Sequence, residues 1–183
     1  MYNLKIREQI LELLPENWIG CELGVFKGDF SKILASSPKM KELYLVDLFS
    51  AGIIIGSGDK NGNNSQNIDG QELFDLNKKQ FSDRQNIHVI RGSSLDFLDS
   101  QPNNSLDFIY IDSGHTYELT KSELRKSLEK ISSRGIIAGH DYDANRYVGI
   151  YNAVNEFAKE FNLNFITTEE DGLASFFFIN PIK

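Results

Sequence analysis

Acidic residues and histidines cluster in two short segments that each end an apolar run. Residues 110–115 read Tyr-Ile-Asp-Ser-Gly-His and residues 138–142 read Ala-Gly-His-Asp-Tyr, so two of the three histidines lie here. Asp112 and Asp141 would repel each other unless a cation or a proton lay between them, and oxygen ligands suit a hard divalent ion such as magnesium. His115 has a near-neutral ordinary pKa that suits proton abstraction. These segments indicate a metal site with a histidine base.

Plainer roles are open for both histidines. His115 could be a residue without chemistry at the start of a helix that Thr116 caps. His140 could be a packing or hydrogen-bonding residue behind Asp141.

A glycine-containing segment, residues 21–28, reads Cys-Glu-Leu-Gly-Val-Phe-Lys-Gly. Gly24 allows a sharp main-chain turn beside a ligand, and Gly28 allows the next helix to pack closely against the strand. Dinucleotide-binding turns have glycines where this chain has Phe26 and Asp29, and an acid at the start of a helix competes with phosphate. A nucleotide-like ligand without phosphates therefore fits better than NAD.

Asp47 ends the next apolar run. A carboxylate at the C-terminal tip of a strand can accept hydrogen bonds from two ribose hydroxyls. The alternative for Asp47 is a loop-capping role, and the alternative for the glycines is turn chemistry alone. The spacing of Glu22, Gly24, Gly28 and Asp47 indicates a nucleoside site.

Short apolar segments alternate with helical patterns, and these elements must position the polar residues. The predicted strands are Trp18 to Leu23, Leu43 to Leu48, Ile87 to Arg91, Leu106 to Asp112 and Gly135 to Ala138. The predicted helices are an opening helix within 1–15 that starts near Asn3 and stops at Pro15, then Gly28 to Ser37, Gln71 to Ser82, Ser94 to Leu98, Thr116 to Ile131 and Arg146 to Phe161.

This alternation is typical of an α/β fold, in which a parallel sheet is covered by helices on both faces. Two further strand patterns, 164–168 and 174–179, flank a polar turn and predict a closing antiparallel hairpin. Because ligands bind at the carboxyl ends of the strands in such sheets, we expect Asp112, His115 and the pair His140 and Asp141 to be neighbours.

Length and composition favour a single domain over residues 1–183, with 40% apolar and 25% charged residues. The formal charge of −7 argues against a non-specific phosphate-binding face, so no nucleic-acid partner is expected. The single cysteine, Cys21, suits a reducing compartment, and no stretch approaches the roughly 18 apolar residues of a membrane span. We therefore expect a cytoplasmic protein without a membrane partner.

The segment 50–70 differs in composition from the rest of the chain, because five glycines lie there among asparagine, serine and aspartate. It also contains Ile53, Ile54 and Ile55, which would be an awkward exposed run. The segment is either a mobile surface loop, or a lid or interface that folds over a bound ligand or a neighbouring subunit. A homo-oligomer is thus one of the open alternatives.

The sequence ELGVFKG, followed by VDLF, resembles the cofactor-binding motifs of class I S-adenosylmethionine-dependent methyltransferases. The resemblance covers residues 18–179 and implies a Rossmann-like methyltransferase fold with a mostly parallel seven-stranded sheet. It implies S-adenosylmethionine as cofactor, with Glu22 near its amino-acid end, Asp47 on the ribose, and Ser93 or Ser94 beside the adenine.

The sequences IYIDSGHTYE and GIIAGHDY resemble a branch of that superfamily which includes metal-dependent macrolide-sugar O-methyltransferases. This resemblance implies that Asp112, His140 and Asp141 are metal ligands, that Asp112 also lies beside the cofactor, and that His115 is the base. It implies methyl transfer to a hydroxyl oxygen of a sugar or another small molecule.

Two alternatives to this activity are a nicotinamide-dependent reductase, which the glycine spacing disfavours, and a non-catalytic S-adenosylmethionine-binding or partner-binding protein of the same fold.

Overall fold

The computed structural model describes residues 4–50, 52–55, 65–168 and 173–181. Its strands are β1 (Trp18–Leu23), β2 (Met40–Asp47), β3 (Gly52–Ile55), β4 (Ser65–Ile68), β5 (Ile87–Arg91), β6 (Leu106–Ile111), β7 (Ile131–Tyr142), β8 (Ile166–Thr167) and β9 (Ala174–Ile179). Its helices are a 3-10 helix (Arg7–Glu12), α1 (Asp29–Ala35), α2 (Gly70–Gln80), α3 (Ser94–Ser100), α4 (Tyr117–Lys130) and α5 (Val148–Glu160).

Within the described residues, seven strands form one sheet in the order β5-β2-β1-β6-β7-β9-β8. The pairs β2–β5, β1–β2, β1–β6 and β6–β7 are parallel, whereas β9 is antiparallel to both β7 and β8. The predicted α/β class and the closing antiparallel hairpin are confirmed. The carboxyl ends of β1, β2, β5, β6 and β7 therefore meet at one edge of the sheet.

Both faces of the sheet are covered, which explains the long apolar runs in its central strands. In β6, Phe108 and Tyr110 belong to one hydrophobic cluster and Ile109 and Ile111 to the other. Side chains of the 3-10 helix, α1 and α2 fill the first cluster, and those of α3, α4 and α5 fill the second.

The N-terminal segment differs from the predicted opening helix. It forms a 3-10 helix over Arg7–Glu12, and Asn3 lies outside the described residues. The Gln9 side chain accepts hydrogen bonds from the backbone N–H groups of Lys5 and Ile6 at 2.7 and 3.4 Å. A helix this short is marginal alone, so the burial of Ile10 against the sheet decides its geometry.

Strand β7 is much longer than the predicted segment 135–138 because pairing extends it at both ends. Its register against β6 shifts between Leu106 and Phe108, which accommodates the polar residues after Ile131. Beyond Gly139, pairing with β9 continues to Tyr142.

The segment 50–70 is partly regular. Strands β3 and β4 pair with each other in an antiparallel two-stranded sheet separate from the main one. Residues 51 and 56–64 lie outside the described residues, and the role of this segment as a lid or interface stays a prediction. Across the described ranges, no helix has the length and apolar character needed to cross a bilayer.

Candidate functional site

Main-chain hydrogen bonds hold the strand ends together where the site forms. The N–H of Gly24 donates to the carbonyl oxygen of Val46 at 2.8 Å, and the N–H of Asp112 donates to that of Leu23 at 2.7 Å. The tips of β1, β2 and β6 are thus fixed relative to one another before any ligand binds.

The glycine turn, residues 24–28, requires glycine at both ends. Gly24 has a φ of +92°, and a Cβ there would lie 2.0 Å from the carbonyl oxygen of Asp112. Gly28 has a φ of +75°, and a Cβ there would lie 2.3 Å from Oδ1 of Asn77. The predicted reason for Gly28, close packing of α1 on the strand, is therefore wrong: the constraint comes from its backbone conformation and from α2.

Helix α2 holds the glycine turn with two amide side chains that the sequence analysis missed. Nδ2 of buried Asn77 donates to the carbonyl oxygen of Phe26 at 2.7 Å, and Nε2 of Gln80 donates to that of Lys27 at 3.1 Å. An asparagine on the buried face of an amphipathic helix was the available signal.

Asp47 caps the same turn. Its Oδ2 accepts from the N–H groups of Val25 and Phe26 at 2.8 and 2.9 Å, and its Oδ1 accepts from the N–H of Phe49 at 2.7 Å. The loop-capping alternative is thus observed. The ribose-binding role stays a prediction, and Oδ1, which accepts one hydrogen bond, keeps a lone pair for it.

A cavity of about 310 Å³, which we name the serine cavity, lies beside this turn. Its lining contains Gly24, Asp47, Gly92, Ser93, Ser94, Asp112, Ser113, Gly114 and three apolar side chains, Val46, Leu48 and Leu119. Five predicted cofactor-binding residues therefore share one cavity: Gly24, Asp47, Ser93, Ser94 and Asp112. Glu22 and Gly28 do not line it.

A wider cleft of about 520 Å³, the Arg7 cleft, adjoins the serine cavity through Gly24 and Asp112. Glu22 lies in this cleft together with His115 and His140. The site therefore consists of two neighbouring spaces, and Asp112 borders both.

Glu22 is almost completely buried at 2% exposure. Burial raises its pKa well above the ordinary value, although a hydrogen bond donated by Oγ of Ser31 opposes that increase. The charge of Asp112 raises the pKa of Glu22 further, and that of Arg7 lowers it. The folded chain thus favours a protonated Glu22.

Asp112, His115, His140 and Asp141 form what we name the acid–histidine cluster. Nε2 of His115 lies 2.8 Å from Oδ2 of Asp141. Nδ1 of His140 lies 3.0 Å from Oδ1 of Asp141 and 3.9 Å from Oδ1 of Asp112. The structure brings together the four residues that were expected to be neighbours.

A β-bulge places Asp141 in this cluster. Pairing passes from Gly139 with Phe176 to Tyr142 with Ala174, so β7 carries one more residue than β9 here. Asp141 has a φ of +59°, and only 8% of its side chain is exposed. A non-glycine residue in this conformation is strained, and such strain is typical of functional sites.

The charges of the cluster shift each other's protonation. Burial raises the pKa of Asp112 to about 6, with His140 opposing and Asp141 adding to the increase. Burial also favours neutral Asp141, but hydrogen bonds from His115 and His140 outweigh it and hold the pKa of Asp141 below its ordinary value. The hydrogen bond to Asp141 raises the pKa of His115.

One donor atom each from Asp112, His115 and Asp141 lies within 4.8 Å of the other two, so these residues fit a divalent ion. The predicted ligand set contained His140 in place of His115. The contact of His140 with Asp141 matches the alternative in which His140 only packs or hydrogen-bonds behind Asp141. Thr116 caps α4 through its Oγ1, as in the alternative for His115.

Two neighbours of the cluster, Arg7 and Tyr147, are not among the predicted site residues, although the sequence left open that Tyr147 lines the pocket or merely packs. Nη1 of Arg7 lies 3.9 Å from Oδ2 of Asp112, and its guanidinium group lies 4.4 Å from the centre of the Phe30 ring. The Tyr147 ring contacts the His115 ring with 4.6 Å between centroids. Neither contact follows from local sequence, because both partners come from distant elements.

The fold is similar to those of several solved structures. The N-methyltransferase NodS from Bradyrhizobium japonicum WM9 is 14% identical with a TM-score of 0.63, covering 96% of this chain and 95% of that chain. The O-methyltransferase NovP is 17% identical with a TM-score of 0.60, covering 94% and 74%. Spermidine synthase from Thermotoga maritima is 13% identical with a TM-score of 0.64, covering 96% of this chain. The chain spans only 60% of that synthase.

No curated protein sequence matches the chain at a significant level. Residues 21–142, well over half of the chain, match the family described as a methyltransferase domain. The matched range contains the glycine turn, the serine cavity and the acid–histidine cluster. The chain therefore belongs to the methyltransferase domain family, and its seven-stranded sheet has the Rossmann-like fold of the class I S-adenosylmethionine-dependent methyltransferases.

Proposed function

We propose that this protein transfers a methyl group from S-adenosylmethionine to a hydroxyl oxygen of a sugar or another small molecule. One observation carries the proposal: Asp112 borders both the serine cavity and the Arg7 cleft, so the binding space beside the glycine turn lies next to the acid–histidine cluster. When bound, the sulfonium group supplies an electrophilic methyl group. The residues of the chain must then hold the acceptor oxygen in line with it and remove its proton.

The serine cavity suits the adenosine part of the cofactor. Asp47 would accept a hydrogen bond from the ribose through Oδ1, whose second lone pair is unused, and Ser93 or Ser94 would lie beside the adenine. Gly24 lines this cavity, and only glycine allows the turn to approach the main chain of Asp112 so closely. Glu22, buried at the wall of the Arg7 cleft, would lie near the amino-acid end of the cofactor.

His115 is the proposed base. About 48% of its side chain is exposed in the Arg7 cleft, so an acceptor can reach it. Asp141 bonds to one ring nitrogen, which orients the imidazole and leaves the other nitrogen to accept the proton. His115 is thus supported in the base role by an acid that the β-bulge holds in place.

Asp112 and Asp141 would hold a divalent ion, most simply magnesium, with a histidine as the third ligand. When bound, such an ion would lower the pKa of the acceptor hydroxyl and fix its position. The predicted third ligand is His140, whereas the convergence of donor atoms favours His115. If His115 bound the ion, it could not also act as the base, and loss of the proton would depend on the lowered pKa of the acceptor hydroxyl. If His140 bound the ion, His115 would stay free to remove that proton.

The deciding experiment measures binding first and turnover second. Isothermal titration calorimetry with S-adenosylhomocysteine, with and without magnesium chloride, tests the cavity and the ion in the same protein. A panel of hydroxylated acceptors with labelled S-adenosylmethionine then tests transfer. The wild-type protein should bind S-adenosylhomocysteine and methylate at least one acceptor, and a chelator should reduce the rate.

Asp141→Asn should abolish the effect of magnesium and retain S-adenosylhomocysteine binding, whereas Asp47→Ala should weaken that binding. Cofactor binding with no transfer to any acceptor would instead support the non-catalytic binding protein. Turnover that a chelator does not change would remove the metal from the proposal and leave His115 and Asp141 as its chemistry.

A further inference from the structure

Glu123 lies in α4 behind the wall of the serine cavity. Its side chain is fully buried at 0% exposure. Oγ of Ser113 donates to its two carboxylate oxygens at 2.6 and 2.8 Å, and Ser94 also hydrogen-bonds to this carboxylate. Both serines line the serine cavity. Glu123 therefore joins the tip of β6 and the start of α3 from behind the ligand space.

The direction of these hydrogen bonds determines what the serines offer to a ligand. A serine hydroxyl has a single proton to donate and two lone pairs to accept with. When the protons of Ser94 and Ser113 point back to Glu123, the hydroxyl oxygens face the cavity as acceptors. An amino group satisfies such a wall, whereas a carbonyl oxygen would meet it acceptor to acceptor and lose its hydrogen bond to water.

We propose that Glu123 fixes the donor and acceptor pattern of the serine cavity, so that the cavity selects a purine with an amino group over one with an oxo group. Glu123 is a positioning residue here, because it touches the serines and not the ligand. The inference rests on the proposed function, since that function places the adenosine part of S-adenosylmethionine in this cavity.

Glu123→Gln keeps the size of the side chain and reverses the direction of one of its hydrogen bonds with the serines. The glutamine amide donates through its NH₂ group, so one serine oxygen must accept from it and turn its own proton toward the cavity. That change should favour an oxo group. Glu129→Gln is the matched control, because Glu129 is an exposed residue of the last turn of the same helix.

The test is a comparison of two ligands that differ at one position of the purine: S-adenosylhomocysteine, with an amino group, and S-inosylhomocysteine, with an oxo group. Calorimetry on the full chain should give a preference of at least about tenfold for the adenosyl ligand in wild type. The preference should fall to within about threefold in Glu123→Gln and stay at the wild-type value in Glu129→Gln. Ser113→Ala should also reduce it, and it carries the test if Glu123→Gln does not fold.

The ratio of the two affinities separates this proposal from a general structural effect, which would weaken both ligands together. An unchanged ratio in Glu123→Gln and Ser113→Ala would overturn the inference and leave the proposed function intact. A wild-type protein that binds neither ligand would overturn both.

Discussion

The glycine turn and the acid–histidine cluster lie side by side at the same edge of the sheet, yet their carboxylates are stabilised differently. Asp47 accepts three hydrogen bonds from backbone N–H groups, and Asn77 and Gln80 hold the carbonyl oxygens of the same turn. Asp141 depends instead on His115 and His140, and Asp112 has His140 and Arg7 near it, each at 3.9 Å.

This difference separates a preformed part of the site from a responsive one. The turn is held by hydrogen bonds within the chain, so it has its shape before any ligand binds. The cluster contains groups whose pKa values shift one another, so a proton, an ion or an acceptor changes all of them together. Substitutions in the turn should therefore affect folding and cofactor binding, and those in the cluster should affect turnover.

The largest expected effect is on turnover, at His115. His115→Ala should lower kcat by about 10²- to 10⁴-fold, because the base is lost, while the Kd of S-adenosylhomocysteine stays within about threefold of wild type. Steady-state kinetics with an active acceptor and calorimetry measure the two quantities. His88→Ala is the matched control, since His88 lies on the edge strand β5 and pairs with Glu42 of β2, away from the cluster. Equal losses in both variants would contradict the base assignment.

Gly24→Ala tests the turn itself. The new Cβ would lie 2.0 Å from a main-chain oxygen in a backbone conformation that alanine rarely adopts. The free energy of unfolding should fall by about 2–4 kcal/mol in urea denaturation without ligand, and S-adenosylhomocysteine binding should be lost. In Gly92→Ala the new Cβ meets no described atom within 4 Å, so its stability should stay within about 0.5 kcal/mol of wild type. Similar stability in the two variants would show that the turn is not rigid.

Asp47→Asn separates the two roles of this carboxylate. An amide cannot accept from all three N–H groups, so the unfolding free energy should fall by about 1–3 kcal/mol even without ligand. Urea denaturation of the ligand-free variant measures this, with exposed Asp83→Asn as the control. If the stability did not change while ligand binding was lost, Asp47 would serve the ligand alone.

The smallest expected effect is a pH dependence at Glu22, which lies between the two regions. Because burial raises its pKa, the folded state binds this proton more readily than the unfolded state, whose pKa is near the ordinary 4.5. The contribution of Glu22 to stability is therefore full below pH 4.5 and declines as pH rises toward the raised pKa. Glutamine does not titrate, so the stability of Glu22→Gln relative to wild type should increase with pH.

Urea denaturation of both proteins between pH 4.5 and pH 8 measures this difference, and exposed Glu72→Gln should show no such trend. A relative stability of Glu22→Gln that decreases with pH would mean that Glu22 is held as a carboxylate.

The sequence predicted the parts of the site that depend on strand order. Strand tips in a parallel sheet must meet at one edge, so the proximity of Asp112 and Asp141 followed from their positions at the ends of apolar runs. Contacts made by packing could not be predicted in this way. Arg7 reaches Asp112 from the N-terminal 3-10 helix, and Asn77 reaches the glycine turn from α2. A single sequence shows helical periodicity but not which neighbour a helix face contacts.

The bulge in β7 determines which side chains at this edge of the sheet point toward the cluster. Side chains alternate between the faces of a strand, so one residue more or fewer between Gly139 and Tyr142 inverts the direction of those beyond it. The residues between these two positions are His140 and Asp141, so a deletion there would remove a member of the cluster, whereas an inserted residue would turn the side chains beyond it away while every group of the cluster stays in the chain. The number of residues at this point of β7 therefore matters as much for the cluster as the identity of the acid. This holds for protein engineering and for the divergence of related proteins.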